Sequence, residues 1–208
     1  MGLFVYLFPY YIYNIIAMWN NPFYVIAFIL GIIIIGFSLM MFLLPKKNSH
    51  LFIKLLFDIT YIVQMLFIFF ATNSYAVFAG IAANTVGAIR DIAYMKDDDR
   101  EHRKYWNIGL CSLMVFLLHF SYSGPISYLP TIGTLINTTA LSFKDKRKVC
   151  ALTIFGQFFF ISYYVLLLAE SDFLTILNIV SALMLLVSAI VGLIINILKK
   201  KVSKLANS

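Results

Sequence analysis

Charge is the scarcest property of this chain. Asp, Glu, Lys and Arg make up 12% of its 208 residues, against about 25% in an ordinary soluble domain. The longest polar stretch, Lys96 to Lys104, is only loop-sized, so a separate soluble domain is excluded. Cysteine is nearly absent as well. Cys111 and Cys150 both fall on the basic side of the membrane map below, which argues against a structural disulfide. No Cys and His residues stand at ligand spacing, so neither a metal site nor a cofactor is expected. His50 and His102 sit in basic loops and His119 near the other end of a span, where an isolated imidazole reads as an interfacial or packing residue. Without a Ser/His, His/Asp or metal constellation, the chain is not expected to be an enzyme.

The N-terminus lacks the basic stretch and small-residue cleavage site of a removable signal peptide. Its opening, MGLFVYLFPYYIYNIIAMW, is instead rich in Tyr and interrupted by Pro9. It suits a helix lying at the membrane interface, with an additional span as the alternative.

What the chain does have is apolar length. Hydrophobic residues make up 62% of it, in runs of roughly 18 to 24 residues, enough to cross a hydrocarbon core of about 30 Å. The connections place spans near 23–44, 51–70, 75–94, 105–121, 126–143, 149–168 and 173–198. All 16 Lys and Arg residues fall in four clusters, around 46–54, 90–104, 144–148 and 199–204, while the connections ATNSY, SYSGPIS and AESD hold none. Span ends therefore alternate between a basic side and a neutral side. The basic side is expected to be cytoplasmic, with the tail KKKVSKLANS inside. The net charge of +7 is accounted for by this topology, not by a nucleic-acid face; the lipid bilayer is the expected partner.

A shift of 98 residues lays Lys46 on Lys144, Phe57 on Phe155, Ala71 on Ala169 and Ile81 on Ile179. Three spans, a linking span and three more give halves of the same orientation, a parallel repeat of the kind found in some transporters. The segments NTVGAIRDIAY and YLPTIGTLINTTALSFKDKRK resemble the YgjV family of bacterial inner membrane proteins, and the span pattern is similar to the wider SWEET, semiSWEET and PQ-loop architecture. The resemblance implies an all-α membrane protein of the bacterial inner membrane. Its seven helices would form two parallel three-helix bundles, residues 23–94 and 122–198, joined by a loop and linking helix at 95–121. Residues 1–22 and the basic tail 199–208 would flank them.

Polar residues inside the spans are the candidate site. Asn84 lies about ten residues from either end of its span, roughly 15 Å deep, beyond the reach of snorkelling for a short amide. The 98-residue shift carries it to Ala182, one turn beyond Asn178. SWEET-like transporters line their pocket with asparagines on the third and seventh spans, and Asn84 and Asn178 look like that pair. Interhelical hydrogen bonding is the competing role for such amides. Arg90 and Asp58 are at comparable depth, so an ion pair between them would tie two spans together near the basic side, with Lys54 at i−4 as a rival partner for Asp58. Pro130 and Gly133 make the fifth span the one expected to bend, and the resemblance to PQ-loop proteins, where a proline on this helix is a hinge for alternating access, implies the same role here. The residue after Pro130 is Thr131 and position 32 is Ile, so the PQ signature itself is absent. Gln64, Gln157, Tyr163 and Tyr164 are further groups that a cavity or helix packing would use. Together these residues imply a facilitative transporter for a small, sugar-like polar solute. The alternative is a non-transporting membrane protein acting as an assembly partner or sensor. Homo-oligomerisation is compatible with either.

Overall fold

The computed structural model describes residues 20–43, 47–96, 100–140, 143, 145–169 and 175–205. Among them are seven helices and no strand. They are α1 (Pro22–Leu43), α2 (Lys47–Thr72), α3 (Val77–Lys96), α4 (Arg100–Ser121), α5 (Tyr128–Ala140), α6 (Lys146–Ala169) and α7 (Thr175–Leu205), with a 3-10 turn, Pro125–Ser127, leading into α5. Residues 1–19, where an interfacial helix is expected, lie outside the described residues. The basic tail is less separate than its composition suggests, because α7 continues through it to Leu205, 31 residues in all.

Packing follows chain order. α1 lies on α2 and α2 on α3; α5 lies on α6 and α6 on α7. Contacts of α1 with α7 and of α3 with α5 close these six helices into a ring, with α4 against α3 and α5. Shifted by 98 residues, α2 falls on α6 within one residue at each end, and the first residue of α3 falls on the first of α7. The same shift exchanges the two contacts that close the ring.

Helical spacing explains which faces turn inward. Ala27, Ile34 and Met41 recur every seven residues on α1, and Phe57, Tyr61, Met65 and Ile68 every three or four on α2; all are buried in one core. The opposite faces carry exposed Ile29, Ile32, Phe70, Phe116, Phe120, Phe155 and Ile194. Large apolar side chains on the outside and polar groups within is the arrangement that lipid demands. By length and composition α1, α2, α6 and α7 are apolar enough to cross a membrane. α3 is less apolar because its inner face carries Asn84, Arg90 and Asp91, all buried, and α5 is short, at 13 residues, with Thr131, Thr134 and Thr138 buried. The chain is thus an all-α membrane protein.

Close approach is made by glycine. A Cβ on Gly87 of α3 would stand 2.5 Å from Oδ2 of Asp58 on α2, and one on Gly156 of α6 would stand 2.5 Å from Oδ1 of Asn137 on α5. Small residues at such points let helices meet without a hydrophobic driving force between them. Between α4 and α5 the chain turns at Gly124, whose φ of 136° suits a residue without a side chain.

Candidate functional site

The ring encloses polar space. At its middle, a cavity of about 70 Å³ is bounded by Asp58, Asn84, Gly87, Thr134, Gln157, Tyr164, Ser181 and Ala182, among others. Towards the basic end it meets a larger cavity, of about 330 Å³, bounded by Met41, Leu51, Val149, Cys150, Thr153, Ser188 and Gly192. Both share Lys54, Phe57, Arg90, Asn137, Gln157 and Leu185 as walls. The inner space is large enough for a few waters, and the outer one for a small solute.

At the junction sits a four-membered charge cluster. One turn of α2 brings the Lys54 ammonium to both oxygens of Asp58, each at 3.0 Å. The same ammonium reaches Oδ2 of Asp91 on α3 at 3.5 Å, and Nε of Arg90 donates to Oδ1 of Asp91 at 2.9 Å. The Lys54 side chain is 27% exposed, while that of Asp58 is 3% and that of Asp91 0%. The ammonium thus faces the wide cavity and the carboxylates are sunk behind it. Two cations and two carboxylates cancel, which is the condition for holding such groups inside a bilayer. On α3, the Tyr94 hydroxyl donates to the Asn107 side chain of α4, fixing that helix to the ring.

The neutral end is closed. Tyr61 and Tyr164 meet at 5.9 Å between ring centres. Tyr163, fully buried, donates its hydroxyl to the Ala76 carbonyl at 2.7 Å and packs over Gly80, where a Cβ would come within 3.2 Å of its oxygen. Gln64 donates to the Ala27 carbonyl at 3.2 Å.

The expected site residues fare unequally. Asn84 borders the central cavity, and its Nδ2 donates to the Gly80 carbonyl one turn back, at 2.8 Å. Asn178 does not join it. It is fully buried, borders neither cavity, and neither polar atom of its side-chain amide has a hydrogen-bond partner among the described residues. The residues on α7 that share the cavity with Asn84 are Ser181, Ala182 and Leu185, and the 98-residue shift lays Asn84 on Ala182; Asn178 is one turn nearer the closed end. The Asp58–Arg90 pair is also corrected. Asp58 is taken by Lys54 and Arg90 by its own neighbour Asp91, so the two meet only through the cluster. Pro130 lies in the first turn of α5, where a missing N–H costs little, and Gly133 is pressed against Phe160 and the Gly156 carbonyl of α6. Both are seated as packing residues in this conformation.

Asp91, Thr134 and Asn137 were not singled out from the sequence. For the last two the signal was available, since Thr134, Asn137 and Thr138 form a polar stripe at i, i+3 and i+4. His119 is exposed, its ring edge-on to Phe120 at 5.5 Å. Among the described residues no three His, Cys, Asp or Glu side chains come together in a way that could hold a metal ion, and neither cysteine is in a disulfide.

Compared with known proteins, residues 25–197 match the family Imp-YgjV, described as bacterial inner membrane protein. No curated protein and no solved structure matches.

Proposed function

The chain belongs to the Imp-YgjV family of bacterial inner membrane proteins, and on that footing we propose that it is a carrier moving a small polar solute by alternating access. The observation that carries this reading is the cavity at the centre of the six-helix ring, bounded by apolar side chains and a few polar ones, reaching Asn84 and widening towards the basic end. An assembly protein held together by interhelical hydrogen bonds has no use for such a space. The reading places the basic end, and the C-terminus with it, in the cytoplasm, as the distribution of Lys and Arg argues. It makes this an inward-open state, with Tyr61, Tyr163 and Tyr164 as the outer closure.

A second feature supports movement. In the closed half, both amide atoms of Asn178 and Oε1 of Gln64 are buried without partners. An orphaned polar group in a dry interior costs about 1–3 kcal/mol. A conformation opening the neutral end would let water or solute satisfy these groups, while the cavity at the basic end narrowed. The ring has two natural seams for that motion, α1 on α7 and α3 on α5.

The test is uptake of radiolabelled small solutes into proteoliposomes containing the purified chain. The expected result is one solute class carried faster than into protein-free liposomes, and lost in Asn84→Ala. If no class is carried and Asn84→Ala lowers only stability, Asn84 is a packing residue and the carrier reading is wrong.

A further inference from the structure

The cluster around Arg90 is more than its structural duty requires. Arg90 is 2% exposed and forms part of the wall of both cavities. Its Nε serves Asp91, but its Nη2 is buried with no hydrogen-bond partner among the described residues. Neutralising Asp91 does not explain a guanidinium here, since the Lys54 ammonium already stands 3.5 Å from that carboxylate. Buried donors in native proteins nearly always have partners. One left over in a cavity wall marks where an arriving acceptor sits, and the acceptor matching a guanidinium fork is a carboxylate.

The facing wall asks for the opposite. On α5, Thr134 Oγ1 and Asn137 Oδ1 are also buried without partners, and both residues border the cavity that Arg90 borders. These oxygens accept a hydrogen bond from a hydroxyl or an ammonium. The charge balance limits the rest. Because Lys54, Arg90, Asp58 and Asp91 sum to zero, each negative charge on the solute remains uncompensated in the bilayer interior. One is tolerable beside Arg90 and two are not.

We propose that the junction of the two cavities binds a small monocarboxylate bearing a hydroxyl or amino group, its carboxylate on Arg90 and its hydrogen-bond donor reaching into the inner space at Asn137 and Thr134. The proposal rests on the carrier reading and replaces a sugar-like solute with a hydroxy or amino acid. A neutral polyol would occupy the same space and leave the guanidinium unmatched. Arg90 is thereby a specificity residue as well as a partner of Asp91.

The experiment is binding to the purified full chain in lipid nanodiscs, by thermal shift and calorimetry, with L-lactate and L-serine against glycerol and glucose. At least one of the two carboxylates is expected to bind and neither neutral compound to do so. Arg90→Lys, which keeps the charge beside Asp91 but loses the fork, is expected to weaken binding about tenfold or more, the scale of a charge-assisted hydrogen bond. Asn137→Asp, isosteric and on a different helix from the cluster, is expected to do the same for L-lactate, because its carboxylate competes with the anion for Arg90 across the shared cavity. It also guards against misfolding of the Arg90 variant as the cause. Binding of glycerol or glucose that ignores both variants would overturn the carboxylate and leave the carrier reading intact. Carboxylate binding unchanged in both variants would place the site elsewhere. If nothing binds wild type and nothing is carried into proteoliposomes, both proposals fall.

Discussion

The helix pairs α2–α3 and α6–α7 share a register and face one cavity, although α7 runs on past the end of α3, yet they bring different chemistry to it. Lys54, Asp58, Asn84, Arg90 and Asp91 of the first pair correspond, 98 residues on, to Leu152, Gly156, Ala182, Ser188 and Ala189 of the second. Their packing is alike. The facing residues Cys150 and Gly192, where a Cβ on the glycine would lie 3.3 Å from the sulfur, translate back to 52 and 94, within a turn of the facing pair Lys54 and Asp91. Shape is therefore repeated while charge is not. The first pair holds every buried charge of the site, and the second half supplies neutral hydrogen-bonding groups from Thr134, Asn137, Gln157 and Ser181. A repeated backbone thus provides a cavity between two matching walls, and divergence of side chains makes one wall ionic.

Breaking the ionic wall gives the largest expected effect. Asp91→Ala leaves Arg90 without its partner in a buried setting and is expected to lower stability by about 3–5 kcal/mol, read from reversible unfolding in mixed micelles. Rewriting the wall with the residues of its counterpart sharpens the comparison. A variant combining Lys54→Leu, Asp58→Gly, Arg90→Ser and Asp91→Ala removes all four charges together. It is expected to be more stable than Asp91→Ala alone, because no charge is orphaned, and to bind no solute.

The helix contacts rank next. Gly87→Ala pushes a methyl to 2.5 Å from Asp58 and is expected to cost about 1–3 kcal/mol. Gly36→Ala, with nothing within 4 Å of its Cβ, is expected to be neutral or slightly stabilising. In the closed half, Asn178→Leu removes an orphaned amide and is expected to raise stability by about 1 kcal/mol while slowing transport, since the outward conformation loses its hydrated group. Asn84→Ala is the mildest of the destabilising changes, about 0.6 kcal/mol in thermal unfolding, because its amide donates to its own helix. Its larger effect falls on solute uptake.

Much of this architecture is legible in the sequence. Apolar length and the alternation of basic and neutral connections define seven helices, and the 98-residue spacing locates α6 and α7 from α2 and α3 to within a residue. The spacing also places Ala182 opposite Asn84. Choosing Asn178 instead followed the residue type and moved the site one turn into the closed end. Asp91 escaped because helix neighbours at i and i+1 point about 100° apart and ordinarily do not pair; a long guanidinium chain curling back over its own helix is not visible in spacing. Asn137 and Thr134 were obscured by Pro130, which drew attention to bending of a span whose helix begins only two residues before it. Which polar groups are left without partners is a property of three-dimensional packing, and these orphaned groups carry the functional argument.

Cys150 offers the most direct test of a solute cavity between the two walls that opens at the cytoplasmic end. It borders the wide cavity, and Cys111→Ser leaves it as the sole thiol. A membrane-impermeant maleimide is expected to label Cys150 in inside-out vesicles and not in right-side-out ones, with labelling slowed by the solute that the chain carries. Labelling from the outer face alone, or from neither face until the protein is denatured, would contradict the account.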